Sequence, residues 1–227
     1  KIERFTHNPN DTYSPANNDF YSINQDNTGR IWAGSYGGGL HLIEELNGKI
    51  RFIHARNEFK TYPISNCSKV RQIFVDSKQR IWVATTEGIV VFKSNFKNYN
   101  NIPFIYYNKN ESINNGLGAN DVHNITEDSE GVMWFGTFGG GLNKLKTKSI
   151  VNNKFEFEII DRLKGLPNNI VYTILDDKQG NLWLTTENAI VKLNKKSGFF
   201  ETFGKGNELE NVEFSEASAC LQASGEI

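Results

Sequence analysis

Four histidines, His7, His41, His54 and His123, are the first residues to test for metal or proton-transfer chemistry. They fall at unrelated positions of the chain's repeating pattern, and no Cys/His cluster has zinc-ligand spacing, so no metal site is expected. Glu44-Glu45 and Asp176-Asp177 are adjacent carboxylates. Neighbours along a strand point to opposite faces, so neither pair forms an acid/base couple, and no catalytic residue or cofactor is assigned. Gly37-Gly38-Gly39 and Gly139-Gly140-Gly141 have the composition of a phosphate cradle. No helical pattern follows either run, and tight hairpins account for them better. Another group of loop residues suits a different chemistry. Tyr36, Tyr62 and Phe138 offer ring faces, Glu87 and Glu187 carboxylates, and Asn114 and Asn115 amides. A sugar has one flatter apolar face and many hydroxyls, so rings beside amides and carboxylates are a carbohydrate-binding set.

The elements that must position these residues come from an internal repeat. Asp26 and Trp32, Asp76 and Trp82, Asp128 and Trp134, Asp177 and Trp183 are each an Asp followed six positions later by a Trp. The four Trp are all the Trp of the chain and lie 50, 52 and 49 residues apart. A fixed period with the same punctuation marks a repeat architecture. Within the second copy, Val70 to Val75, Arg80 to Thr85, Ile89 to Phe92 and Phe104 to Tyr107 are β-branched and aromatic runs separated by turn residues, which predicts four short strands. Four strands in about 50 residues predict an all-β fold of antiparallel four-stranded β-propeller blades. The blades are expected at residues 20–55, 70–108, 122–161 and 171–203 of one partial propeller, with partial blades at 1–6 and 214–227.

Each repeated residue has a local task. The Asp side chain accepts a backbone hydrogen bond two residues on and sets the turn. Gly29, Gly131 and Gly180 follow it by three, where a tight hairpin needs positive φ. Gln79 occupies that place in the second copy, so this turn must change geometry or carry strain. An Ile precedes the Asp by three each time, at Ile23, Ile73, Ile125 and Ile174. With the following Trp it is expected to form a repeated apolar pair in the core between sheets. Tyr36 and Phe138 share one hairpin slot of copies one and three, and Glu87 and Glu187 the corresponding hairpin of copies two and four. Loops held on such a rigid scaffold are where binding sits.

The run Asp128-Ser129-Glu130-Gly131-Val132-Met133-Trp134-Phe135-Gly136-Thr137-Phe138-Gly139-Gly140-Gly141-Leu142 resembles the two-component regulator propeller repeat. Asp26 to Leu40 matches with Ser35 for Thr, while the second and fourth copies diverge after the Trp, at Thr85 to Ile89 and Thr185 to Ala189. This resemblance implies the periplasmic sensor region of a Bacteroidetes-type hybrid two-component histidine kinase. It implies an oligosaccharide as ligand and a homodimeric parent receptor, with membrane, kinase and DNA-binding parts outside this chain.

Bulk composition is consistent with that reading. Over 227 residues the net charge is −1 and no basic block stands out, which argues against a nucleic-acid partner. Cys67 and Cys220 lie far apart in the repeat and are expected as free thiols. A protein-interaction scaffold is the alternative use of the fold. A propeller lyase or glycoside hydrolase would need convergent acid and base residues that the pattern does not supply.

Overall fold

The computed structural model describes residues 2–109, 116–146, 155–204, 214, 215 and 219. They belong to two units, Lys1–Tyr107 and Asn108–Ile227, each with two four-stranded sheets. In the first unit one sheet holds β1 (Phe20–Gln25), β2 (Ile31–Ser35), β3 (Gly39–Leu46) and β4 (Lys49–Ile53). The other holds β5 (Val70–Val75), β6 (Arg80–Thr85), β7 (Gly88–Lys93) and β8 (Ile105–Tyr107). In the second unit one sheet holds β9 (Val122–Glu127), β10 (Met133–Thr137), β11 (Leu142–Leu145) and β12 (Phe157–Ile160). Its other sheet holds β13 (Val171–Asp176), β14 (Asn181–Thr186), β15 (Ala189–Asn194) and β16 (Phe200–Gly204). Every sheet is an antiparallel meander in chain order. Residues 2–6, expected as an outer strand, belong to none, because no described strand lies alongside to form a ladder. The segment 214–227 and Cys220 lie wholly or largely outside the described residues, while Cys67 is free and buried.

The repeated Asp does more than set a turn. One carboxylate oxygen accepts the backbone N–H groups two and four residues on, as Asp128 does from Glu130 and Val132, both at 2.9 Å. The other accepts the indole N–H of the following Trp, at 3.0, 2.8, 2.9 and 3.3 Å for Trp32, Trp82, Trp134 and Trp183. Burial alone would raise the pKa of Asp26, but hydrogen bonds from Thr28, Trp32 and the Arg30 backbone hold it below the usual carboxylate range. The second turn keeps the common geometry. Gln79 has φ 61°, in the left-handed region that Gly29, Gly131 and Gly180 occupy at 87°, 76° and 98°.

The repeated Ile and Trp lie on opposite faces of their own sheet. Ile23 sits opposite Ala33 in the β1–β2 ladder, and Trp32 opposite Asn24. The apolar association therefore runs between sheets: Trp32 shares a core with Ile73, Val83, Val90 and Phe92 of the next sheet, and Trp134 with Ile174, Leu182, Leu184 and Val191. The core lies between adjacent sheets as expected, but Trp32 and Trp134 share it with the Ile of the next repeat and not with their own, and two positions are not fully buried. Ile23 is 69% exposed and Trp183 half-buried, because no described sheet covers either face. Gly34 and Gly136 permit the close approach of neighbouring sheets. A Cβ at Gly34 would stand 2.3 Å from Val70 Cγ1, and one at Gly136 2.9 Å from Val171 Cγ1. Polar stitches join adjacent first strands: Asn24 Nδ2 donates to the Ile73 carbonyl at 3.1 Å and Thr126 Oγ1 to that of Ile174 at 3.0 Å.

Candidate functional site

The Gly-rich hairpins define one end of each unit. In the first, the N–H groups of Gly37 and Gly39 both donate to the Ser68 carbonyl, at 2.8 and 2.9 Å. In the second, Gly139 and Gly141 donate to the Asn169 carbonyl, at 3.0 and 2.9 Å. These amides clamp the hairpin to the loop that leads into the next sheet, so they are already used by protein carbonyls. The residue just before each glycine run is thereby fixed: Tyr36 bridges to Lys69, and Phe138 to Ile170.

Both aromatic residues stack on a side chain from a β-bulge. The ladders of β1, β5, β9 and β13 with their second strands each skip one residue, at Tyr21, Arg71, His123 and Tyr172. A bulge frees a residue from the ladder and re-aims its side chain. In the first unit Tyr36 stacks on Tyr21 with centroids 5.1 Å apart, and Tyr21 is 54% exposed. Lys69 Nζ lies 5.2 Å and Arg71 Cζ 5.6 Å from the centre of the Tyr36 ring, within cation–π range. In the second unit Phe138, 49% exposed, stacks on buried His123 at 5.8 Å, and Tyr172 approaches the same imidazole at 5.5 Å. Asp121 Oδ1 lies 3.6 Å from His123 Nε2. Each unit therefore carries an aromatic shelf beside ionisable groups, at the same slot of its first sheet.

The other expected residues are distributed differently. Tyr62 is buried, donates its hydroxyl to the Cys67 carbonyl at 2.8 Å and packs under Gly39. It supports the hairpin from the core instead of facing a ligand, because the hydrogen-bonded turns of residues 57–67 fold its loop inward. Glu87 and Glu187 are exposed. Glu187 accepts from Asn168 Nδ2 at 3.0 Å, and the Glu87 carbonyl accepts from the Tyr106 hydroxyl at 2.7 Å. Asn114 and Asn115 lie outside the described residues. Tyr21, Arg71, His123 and Tyr172 were not expected, although each stands two before a repeat Ile, a shared place that carries four different local settings. The adjacent carboxylates have structural partners: Glu44 pairs with Arg51 at 2.5 Å, and Asp176 with Lys195 at 3.1 Å. No three His, Cys, Asp or Glu among the described residues are grouped to hold a metal ion, and none of their helices is long and apolar enough to cross a membrane.

The four sheets, with this hairpin clamp, are blades of the β-propeller class. The chain carries repeats of the two component regulator propeller family, whose pattern matches residues 14–37, 116–139 and 165–188. It is 30% identical over 201 residues to histidine kinase P4 of Formosa agariphila, covering 88% of this chain and 14% of that protein. Its fold is similar to the extracellular domain of the hybrid two component system BT3049 of B. thetaiotaomicron, with a TM-score of 0.66 and 23% identity over 88% of this chain and 25% of that one. The corresponding domain of BT4673 from the same organism has a TM-score of 0.66 and 25% identity over 82% of this chain and 25% of that one. The chain thus spans a small part of each relative.

Proposed function

We propose that this chain is part of the extracytoplasmic, ligand-sensing propeller of a hybrid two-component histidine kinase, and that its ligand is an oligosaccharide. The similarity to histidine kinase P4 and to the two B. thetaiotaomicron extracellular domains supports the receptor class. The observation that carries the ligand class is the pair of exposed aromatic shelves, Tyr21 with Tyr36 and Phe138 over His123. An apolar sugar face stacks on such rings, and its hydroxyls pair with the neighbouring polar groups. Glu87 and Glu187 are candidates for those pairings. Binding in the periplasm changes the geometry of a homodimeric receptor, and segments outside this chain carry the signal across the membrane to the kinase. The chain itself is read as a binding module without catalysis.

Titration calorimetry against a panel of oligosaccharides tests this reading. At least one member binds, Tyr36→Ala and Phe138→Ala each weaken binding tenfold or more, and Lys49→Ala, at the exposed start of β4, leaves it unchanged. Failure of the entire panel, or binding indifferent to both aromatic substitutions, overturns the assignment. The first sheet also bears an open apolar hollow of about 400 Å³ lined by Phe5, Phe20, Ile23, Ala33 and Phe52, which favours a protein-interaction scaffold as the second reading.

A further inference from the structure

Three histidines hold three consecutive residues of the loop that leads into β1. His54 Nε2 lies 3.0 Å from the Ser14 carbonyl, His7 Nδ1 2.7 Å from the Pro15 carbonyl, and His41 Nε2 3.0 Å from the Ala16 amide. The partners fix the protonation of two rings. Ala16 N–H can only donate, so His41 Nε2 must be bare, and its Nδ1–H donates to the Gly39 carbonyl at 3.1 Å. Arg56 N–H donates to His54 Nδ1 at 3.2 Å, so His54 carries its proton on Nε2 and donates it to Ser14. Both rings are buried, and their centroids are 5.2 Å apart. A second proton on either ring would set its N–H against the Ala16 or Arg56 N–H, and a second proton on both would place two cations side by side. His7 donates to its carbonyl, and that bond survives protonation.

The second unit performs the same task without a titratable group. Asn143 occupies the place of His41 in the repeat, and its Oδ1 accepts the Gly118 amide at 2.7 Å as His41 accepts that of Ala16. The loop so held in the first unit bears directly on the aromatic shelf. The Asp19 carbonyl accepts the Tyr36 amide at 2.7 Å, and a Cβ on Gly38 would meet Ala16 Cβ at 3.0 Å.

We propose that His41 and His54 form an acid-released latch, which at neutral pH holds residues 14–19 against the Ser35–Gly39 hairpin and at acid pH lets them open. The groups that face the two rings reinforce its sign. Arg56 and Lys60 beyond β4 and His7 on the leading segment add positive charge; of the nearby acids, Glu58 lies 3.7 Å from Arg51 Nη2, which offsets its charge, and Asp11 accepts the Tyr13 amide. Burial first, and then the neighbouring His54, push the His41 pKa down to about 3, and burial also lowers that of His54. The latch is independent of ligand identity; its consequence, weaker binding at the Tyr36 shelf in acid, rests on the sensor reading above.

Amide hydrogen exchange on the whole 227-residue chain tests the latch without any ligand. With His41 at its ordinary value of about 6.5 in the open loop and about 3 in the closed one, moving from pH 7.5 to 4.5 multiplies the opening constant at Ala16 by about 100, after correction for intrinsic exchange. Gly118, held by an amide, shows no such change. His41→Asn keeps the acceptor and removes most of the pH dependence. Equal losses of protection at Ala16 and Gly118, or an unchanged pH dependence in His41→Asn, overturn the proposal. If the variant fails to fold, the comparison of the two amides within the native protein decides the matter alone. A pH-sensitive Ala16 amide in a chain that binds no sugar would separate a sound latch from a failed sensor reading.

Discussion

Trp134 donates its indole N–H to Asp128 Oδ2 at 2.9 Å, across a turn whose backbone the same carboxylate organises through its other oxygen. Lys195 Nζ lies 3.3 Å from that Oδ2 and pairs also with Asp176. Removing the carboxylate strands a buried indole N–H and weakens the neutralisation of a buried ammonium. Asp128→Ala is expected to cost about 3 kcal/mol, well beyond the ~1 kcal/mol of a single turn bond. A denaturation cycle with Trp134→Phe should return a coupling of about 1 kcal/mol, and zero coupling would say that the indole bond contributes nothing.

Gln79 stands at φ 61° where its counterparts are glycines. Gln79→Gly should therefore stabilise the chain by about 1 kcal/mol, the left-handed penalty relieved less the entropy restored to the unfolded chain. Urea unfolding measures it, and a loss of stability would mean that the Gln79 side chain makes a contact worth more than its strain.

Gly34→Ala should destabilise by about 1–3 kcal/mol, since its new methyl would overlap Val70. Combining it with Val70→Ala should recover part of that loss. The pair would be additive if the two sheets could simply move apart.

The half-buried Trp183 and the fully buried Trp32 provide a graded test of burial. Trp32→Ala should cost about 3–5 kcal/mol and Trp183→Ala about half as much or less. Equal costs would place Trp183 in a covered core.

Acid should lower Tm in two stages. His41 and His54 have folded pKa values below the unfolded one, so the unfolded chain binds their protons first and stability falls once pH drops below about 6.5. Asp26, Asp176 and Asp177 are likewise depressed, and the stability that they contribute above about pH 4 is lost below it. Calorimetric scans from pH 8 to 3 resolve the stages, and a Tm that rises between pH 6.5 and 5 would reverse the assigned sign.

The strands of the second repeat were readable almost to the residue, because Ile, Val and Trp at Ile81, Trp82, Val90 and Val91 fill a β-sheet buried on both faces. The Asp turn was readable from its glycine, but its bond to Trp six residues away was not, since spacing alone does not say which way an indole turns. Ile23 followed the repeat and still lies open, because burial depends on the sheet next door and not on the strand's own pattern. Tyr62 reads as a loop residue among polar neighbours, and only the folded turns send its ring inward. The bulge residues were the least visible. Tyr21, Arg71, His123 and Tyr172 share a place but no chemistry, and one skipped ladder position leaves no mark in a period of two.

That skipped position has a use for protein engineering. A side chain there owes nothing to strand pairing, so its identity can change while the ladder, the clamp and the Asp–Trp turn stay intact. Randomising exposed residue 21 and the half-buried residues 71 and 172, with buried His123 kept as the support of Phe138, would give a combinatorial library on a constant scaffold, in which new ligand preferences could be selected at modest cost in folding.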